Sequence, residues 1–465
     1  MHGHIALFLL AAAVAAAAQS GPNDQRARVI YKQLVEIDTT DTPAGDATRA
    51  AQAMADRLRA AGFPASDVQV LVHEGNARKG NLVARYRGKG VRRPLLLLAH
   101  IDVVEAKRED WSVDPFTCLE KDRYFYGRGT SDDKSMAAQF VANLIRLKSE
   151  GFMPDRDLIL ALTADEEGGD FNGVQWLLKN HRNLIDAEFA INEGGGANIL
   201  EEKYLTLEVQ ASEKVYQDLT LEVTNSGGHS SLPVKDNAIY HLSEALARLA
   251  KFEFPFELNE TARAYFERAA LVETDPKVAA DMRAVARPSP DQAAAARLSA
   301  LLPYYNAMMR TTCVGTQLAG GHARNALPQL ATANVNCRIL PGVSPASVRE
   351  RVVRVIDDPK VSVSFVGNAT PSTPSPLRPD LMSAVESLTK AMFPGVVVVP
   401  VMSTGATDGL YLRNAGIPTY GVDGTFSDME DVRAHGKDER VGVKQFFDGL
   451  EFQYRLIRDL SQPAR

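Results

Sequence analysis

Apolar positions along the chain follow two alternating periods. Asp24 to Leu34 and Thr48 to Ala61 carry helical spacing, the second Ala-rich and ended by Gly62 ahead of Pro64. Val68–His73 and Asn81–Tyr86 read as strands, and Pro94–Ala99 is apolar throughout, as in a strand covered on both faces. A helix is predicted over Lys134–Leu147, with Met136, Phe140, Leu144 and Leu147 on one face. Asp157–Thr163 is a second buried strand, Phe171–Leu178 is helical, and Ala187–Ile191 is a third short strand. Strands alternating with helices predict an α/β fold with a mainly parallel sheet covered by helices.

The pattern changes after Glu213. Tyr216–Thr224 alternates like a half-buried strand and breaks at NSGGHSSLP, and Asn237–Leu249 resumes as a helix. Lys251 to Met309 lacks β-type alternation and reads as mostly helical. Thr311–Gly321 and Ala331–Leu340 predict two paired strands joined through HARNALPQ, followed by a helix at Val343–Val355 and a strand at Val361–Phe365. That order predicts a small α+β domain. The Pro-rich ATPSTPSPLRP stretch leads back to the main layer, with a helix at Leu381–Met392, a strand at Val396–Val401 and a closing helix at Lys444–Leu460. The expected division is a catalytic domain in two parts, 24–213 and 371–465, with a smaller lid or dimerisation-type domain inserted over 214–367.

Composition narrows this picture. A chain of 465 residues, 45% hydrophobic and 24% charged, can build two cores. The net charge of −6 shows no basic excess, so nucleic acid is not an expected partner. An apolar run from Ile5 to Ala18, with small residues before Gln19, predicts a signal peptide over residues 1–18 and a periplasmic or secreted location. The run is too short to span a bilayer comfortably, so no stable membrane anchor is expected. Among the three cysteines, Cys313 and Cys337 lie equally far from Asn325, so a hairpin would set them opposite each other. A disulfide is compatible with that placement in an oxidising compartment, but two ordinary small core residues are the expected reading. Cys118 has no evident thiol role.

The chemistry collects at predicted strand ends. His100 and Asp102 close the LLLLA run, Asp132 and Asp133 follow a Gly-rich turn, Glu166 and Glu167 follow DLILALT, Glu193 follows AIN, and His435 lies near the C-terminus. Ligands bind at such edges in open α/β sheets. Carboxylates mixed with imidazoles suit Zn²⁺, Mn²⁺ or Co²⁺. Two ions roughly 3.5–4 Å apart, sharing one carboxylate, can activate a water and polarise a carbonyl. Singly, a DEE is most often a solvated helix start and a His after an apolar strand is often a core group. Their joint occurrence in order is far more specific.

The stretches LLLLAHIDVV, YGRGTSDDKS, TADEEGG, INEGGG, GGHSSLP, RNALP with CRILPG, STGATDG with GIPTYGV, and AHGKDERV carry a resemblance across nearly the whole chain. It resembles the dinuclear-zinc exopeptidases and N-acyl amino acid amidohydrolases, which include carboxypeptidase S, aminoacylase and succinyl-diaminopimelate desuccinylase. The long stretch between Lys251 and Met309 places it nearest the carboxypeptidase S branch. The resemblance implies two Zn²⁺, with Co²⁺ or Mn²⁺ able to substitute. His100 and Glu193 would hold one ion, His435 and Glu167 the other, and Asp132 would bridge them. Glu166 would be the general base and Asp102 would orient the His100 ring. His229 would stabilise the oxyanion, Asn325 and Arg338 would grip a substrate carboxylate, and Thr404 and Gly405 would line the substrate.

Departures from the family pattern are Ser135 in place of Gly and Asn192 in place of an Asp. The apolar residues of 251–309 would either line a pocket or pack helix on helix. The implied activity is hydrolysis of an amide beside a free carboxylate, releasing an amino acid from a peptide or an N-acyl amino acid. A non-catalytic peptide- or conjugate-binding protein and a two-metal phosphoesterase are the rival readings. In dimeric relatives the matched His reaches the partner's site, so this chain would use His229 as a homodimer or by domain closure.

Overall fold

The computed structural model describes residues 21–462, so the signal peptide expected over 1–18 lies outside the described residues. The centre of the larger sheet is parallel. Leu95–His100 lies between Leu158–Thr163 and Phe189–Asn192, and Thr419–Val422 extends the same direction. All six residues of Leu95–His100 and of Leu158–Thr163 are buried, which is why neither strand alternates in sequence. Helix Lys134–Ser149 presses Met136, Phe140, Leu144 and Leu147 into this core, alongside Phe446 and Phe452 from the closing helix Val443–Leu460.

The flanks of that sheet are antiparallel. Gly80–Tyr86 runs against Leu158–Thr163, and the 11-residue strand Lys203–Glu213 runs against Thr419–Val422. No sequence pattern announced Lys203–Glu213, because it buries the polar Gln210, Ser212 and Glu213, which interrupts the apolar alternation. Strand Val397–Ser403 pairs beside it in parallel.

The smaller sheet is wholly antiparallel, in the order Thr312–Gly320, Leu330–Ile339, Val215–Thr224, Ser362–Val366. Helices Ala238–Ala250 and Pro345–Ile356 cover one face, closing a separate core around Leu219, Leu221, Leu242, Val335 and Val352. Cys313 and Cys337 sit directly opposite each other in register with Cα atoms 4.1 Å apart, and they form a disulfide instead of the expected unbonded core pair.

Four helices, Glu260–Ala269, Pro276–Val285, Gln292–Leu301 and Pro303–Met309, fill most of the stretch predicted to be helical. Asn259, Asp275 and Asp291 cap the first three with side-chain oxygens. Their apolar residues pack on one another: Phe266, Met282, Leu298 and Met308 form one cluster. That cluster also takes in Met402 from strand Val397–Ser403 and Leu340 from the end of Leu330–Ile339, so the helices touch both sheets.

Of the two connections between the sheets, one is the stretch 367–378 and the other is a single residue. Lys214 separates the strands Lys203–Glu213 and Val215–Thr224, and its amide donates to the Ser403 carbonyl at 2.9 Å. Its buried ammonium donates to the Ala307 and Arg310 carbonyls at 3.0 and 2.7 Å and to Thr312 Oγ1 at 3.2 Å. Burial, with Arg338 nearby, pulls its pKa down to about 7. No helix among the described residues is long and apolar enough to cross a membrane.

Candidate active site

Five strand ends and loops deliver one compact cluster. His100 terminates Leu95–His100, and its Nε2 lies 3.1 Å from Asp132 Oδ1 and 3.9 Å from Glu193 Oε2. His435 approaches from the other side, its Nε2 3.1 Å from Asp132 Oδ2 and 2.8 Å from Glu167 Oε1. One carboxylate thus stands between two imidazoles, with a different oxygen toward each. Donor atoms of His100, Glu166 and Glu193 lie within 4.8 Å of one another, as do those of His100, Asp132 and Glu167. Imidazole nitrogens and carboxylate oxygens at that spacing fit divalent cations of the Zn²⁺ type.

Asp102 organises two things at once. Its backbone carbonyl lies 3.1 Å from His100 Nδ1, which sets that ring's orientation. Its carboxylate is 3.7 Å from Nδ1 and accepts the amides of Glu166 and Glu167 at 3.2 and 3.0 Å. The carboxylate therefore holds the Glu-Glu turn more directly than it holds the imidazole. The same turn is braced by Asp165, which sits at φ +59° between Lys79 Nζ and the Phe171 amide.

Burial and crowding shape the charges. Burial pushes the Glu166 carboxyl up to about 10, with the neighbouring Glu193 adding to it. Glu193 is likewise held well above the usual carboxylate range by burial. Burial would lower His100, but Asp132, Glu193, Asp102 and Glu166 together carry it well above an ordinary imidazole. His435 rises to about 10, chiefly through its contacts with Asp132 and Glu167. Burial would raise Asp132, yet its two imidazole neighbours hold it below the usual range. This is a half-buried, carboxylate-rich site that favours positive charge.

Asp133 heads helix Lys134–Ser149, but its side chain makes no capping bond and stays buried. The Asp132–Asp133 peptide bond is cis.

The remaining predicted residues divide into two groups. Thr404 and Gly405 follow strand Val397–Ser403, in the loop whose Asp408 accepts from Asn172 Nδ2 at 2.7 Å and Thr163 Oγ1 at 3.4 Å. His229, Asn325 and Arg338 belong to the smaller sheet's side. His229 pairs in register with Ala326, is exposed, and holds Ser231 Oγ at 2.7 Å from its Nδ1. Ser230 donates its amide to the Asn325 carbonyl at 3.0 Å. Arg338 stacks over Tyr216, with 4.7 Å to the ring centroid, and no carboxylate pairs with it among the described residues. None of the three touches the cluster in this arrangement.

The family model for peptidase family M20/M25/M40 matches residues 96–459. The chain belongs to this family. It is a hydrolase of the M20 type. It is 30% identical over 413 residues to a probable carboxypeptidase S-like protein of Dictyostelium discoideum, covering 83% of this chain and 76% of the relative. The human N-fatty-acyl-amino acid synthase/hydrolase PM20D1 is 30% identical over 383 residues, covering 79% of this chain and 74% of that protein. Among solved structures, an M20 family metallo-carboxypeptidase from Sulfolobus solfataricus superposes with a TM-score of 0.67 at 15% identity, covering 93% of this chain and 98% of the other. Human carnosine dipeptidase 1 superposes with a TM-score of 0.60 at 14% identity, covering 94% and 96%. At those identities the superpositions show a shared fold.

Two buried acids beside the cluster escaped the sequence pattern. Asp408 is fully buried and pushed up to about 7 by burial, although its motif STGATDG was in view. Glu439, buried at 0% exposure, lies inside AHGKDERV and contacts the Asp132 loop. The motif strings contained both acids, but only the fold supplies their partners.

Proposed function

We propose that this M20 hydrolase is a two-metal amidohydrolase that cleaves an amide beside a free carboxylate, releasing an amino acid from a peptide or an N-acyl amino acid. The observation that carries it is Asp132, set between His100 and His435 with one oxygen toward each. His100, Glu193, Asp132, Glu167 and His435 would hold two divalent ions, Zn²⁺ by donor chemistry, with Co²⁺ or Mn²⁺ able to replace it. Such a pair, when bound, polarises the scissile carbonyl and acidifies a water.

Glu166 is the group left beside the ligands with a carboxyl free to take a proton from that water and deliver it to the leaving amine. Asp102 keeps Glu166 and Glu167 in register with His100 through the two amides it accepts. Arg338, with no acid partner, would bind the substrate carboxylate, with Asn325 beside it, while Thr404 and Gly405 line the scissile end. His229 reaches a developing oxyanion when the smaller sheet closes over the larger, or from a second copy in a homodimer. The Cys313–Cys337 disulfide and the apolar N-terminal run support an exported protein.

The test is a mass-spectrometric screen of dipeptides and N-acyl amino acids with Zn²⁺-loaded protein. Released amino acid is expected from substrates with a free C-terminal carboxylate and not from their amides. Glu166→Ala should lower turnover by about 10²–10⁴-fold with metal content retained. Capture of conjugates without product at any metal loading would point to a binding role instead.

A further inference from the structure

The two loops that carry Asp132 and His435 are far apart in sequence, and a residue without any assigned role stitches them together. Both oxygens of Glu439 face donors only. Oε1 accepts from the Ser131 amide at 2.7 Å, Ser131 Oγ at 2.9 Å and the Asp132 amide at 3.2 Å. Oε2 accepts from Arg128 Nη1 at 2.7 Å and the Gly129 amide at 3.0 Å. Arg128 completes the stitch: its Nη2 donates to the His435 carbonyl at 3.3 Å, and its guanidinium lies 5.0 Å from the Trp111 ring centroid. The loops spring from paired strands, Tyr124–Tyr126 and Arg440–Gly442, and the Gly127 amide donates to the Glu439 carbonyl at 3.1 Å.

This arrangement treats the two halves of the cluster differently. His100 and Glu193 hang from the larger sheet through Leu95–His100 and Phe189–Asn192. Glu439 touches neither. Asp132 and His435 instead depend on the Arg128–Glu439 pair, whose side chains are 3% and 1% exposed. Five donors converging on one buried carboxylate leave no room for a different hydrogen-bonding pattern.

We propose that Glu439 is a positioning residue that holds the Asp132 loop and the His435 loop as one unit, and thereby sets affinity at the metal position formed by His435, Asp132 and Glu167. The proposal rests on the two-metal reading above. Glu439→Gln presents an amide NH₂ to donors that have no acceptor left, so the loops part while the larger sheet keeps His100 and Glu193 in place.

The experiment is a Co²⁺ titration of metal-free protein, followed by visible absorption and calorimetry, with circular-dichroism melting of each metal-free form. Wild type is expected to take up two equivalents. Glu439→Gln should weaken the first step only slightly, because that position shares Asp132 but keeps His100 and Glu193, and weaken the second by about 10–100-fold, with millimolar Co²⁺ restoring the second absorption change. Glu439→Asp, which keeps the charge but withdraws it by one methylene, should weaken the second step less. Two wild-type steps in a folded variant, equal weakening of both steps, or loss of folding in both variants would overturn the proposal. A wild type that takes up a single equivalent removes the two-metal reading and this proposal with it. Two steps in wild type and two unchanged steps in the variants remove only the role of Glu439.

Discussion

At Asp132 one carboxylate divides its oxygens between two imidazoles, while Asp133, its neighbour in the chain, is buried at the head of the following helix. Ionisation at this contact has a consequence for the metal-free protein. His435 has a folded pKa of about 10 against an unfolded value near ~6.5. The native state therefore holds that proton more tightly. The stability it contributes is fully present below about pH 6.5 and is lost as pH rises through about 10. Chelated wild type should melt above chelated His435→Asn at low pH, and the gap should close on going alkaline. A gap that widens with pH would contradict the assignment.

Arg338 makes the second prediction at this scale. Its guanidinium, bonded weakly to Asn336 Oδ1 at 3.4 Å, should matter for ground-state binding. Arg338→Gln should raise KM for carboxylate substrates about 10–100-fold with a smaller change in kcat, as expected for losing a charged hydrogen bond worth ~1.5–3 kcal/mol. Lys at that position should recover only part, because a single ammonium cannot form the two-pronged contact. Equal KM values for the free acid and its amide in the wild type would remove Arg338 from recognition. At this scale the sequence showed which acids end apolar runs. It could not show Glu439 as the partner of Ser131, since that contact spans 308 residues.

Elements were legible where burial is uniform or strictly periodic. Leu95–His100 and Leu158–Thr163 declared themselves by unbroken apolarity, and Lys134–Ser149 by its helical stripe. Lys203–Glu213 did not, because a strand that buries Gln210 and Glu213 to hold Thr407 and Arg413 has no hydrophobic signature. The hairpin of Thr312–Gly320 and Leu330–Ile339 was readable, but whether its two cysteines bond was decided only by register. Thr312–Gly320 is an edge strand, with Val314 and Leu318 60% and 67% exposed, so the disulfide is its covalent anchor. Reduction, or a Cys313→Ser and Cys337→Ser double variant, should cost about 3 kcal/mol and raise hydrogen exchange along that strand first. Unchanged melting and exchange after verified reduction would show the link to be idle.

Among the described residues the larger sheet has a core on each face, the smaller sheet has a third, and the four helices that touch both sheets form a fourth. The α/β class followed from alternating strand and helix patterns. The antiparallel flanks did not, because strand direction is decided by chain crossings rather than by residue pattern. Since the candidate ligands come from five separate segments, ion binding should stabilise the whole chain. Chelation should abolish activity and lower the melting temperature, and Zn²⁺ or Co²⁺ should restore both. Full activity in protein verified as metal-free would end the two-metal reading.

The helical cluster around Phe266 and Met308 rests on Met402 on one side and Leu340 on the other, and Lys214, the one residue between the strands Lys203–Glu213 and Val215–Thr224, donates to the Ala307 and Arg310 carbonyls at its last helix. Any swing of the smaller sheet toward the cluster must shear that packing or drag the helices along. The four helices are therefore a mechanical stop built into the joint. The wedge of side chains that couples the two sheets contributes no donor to the cluster itself.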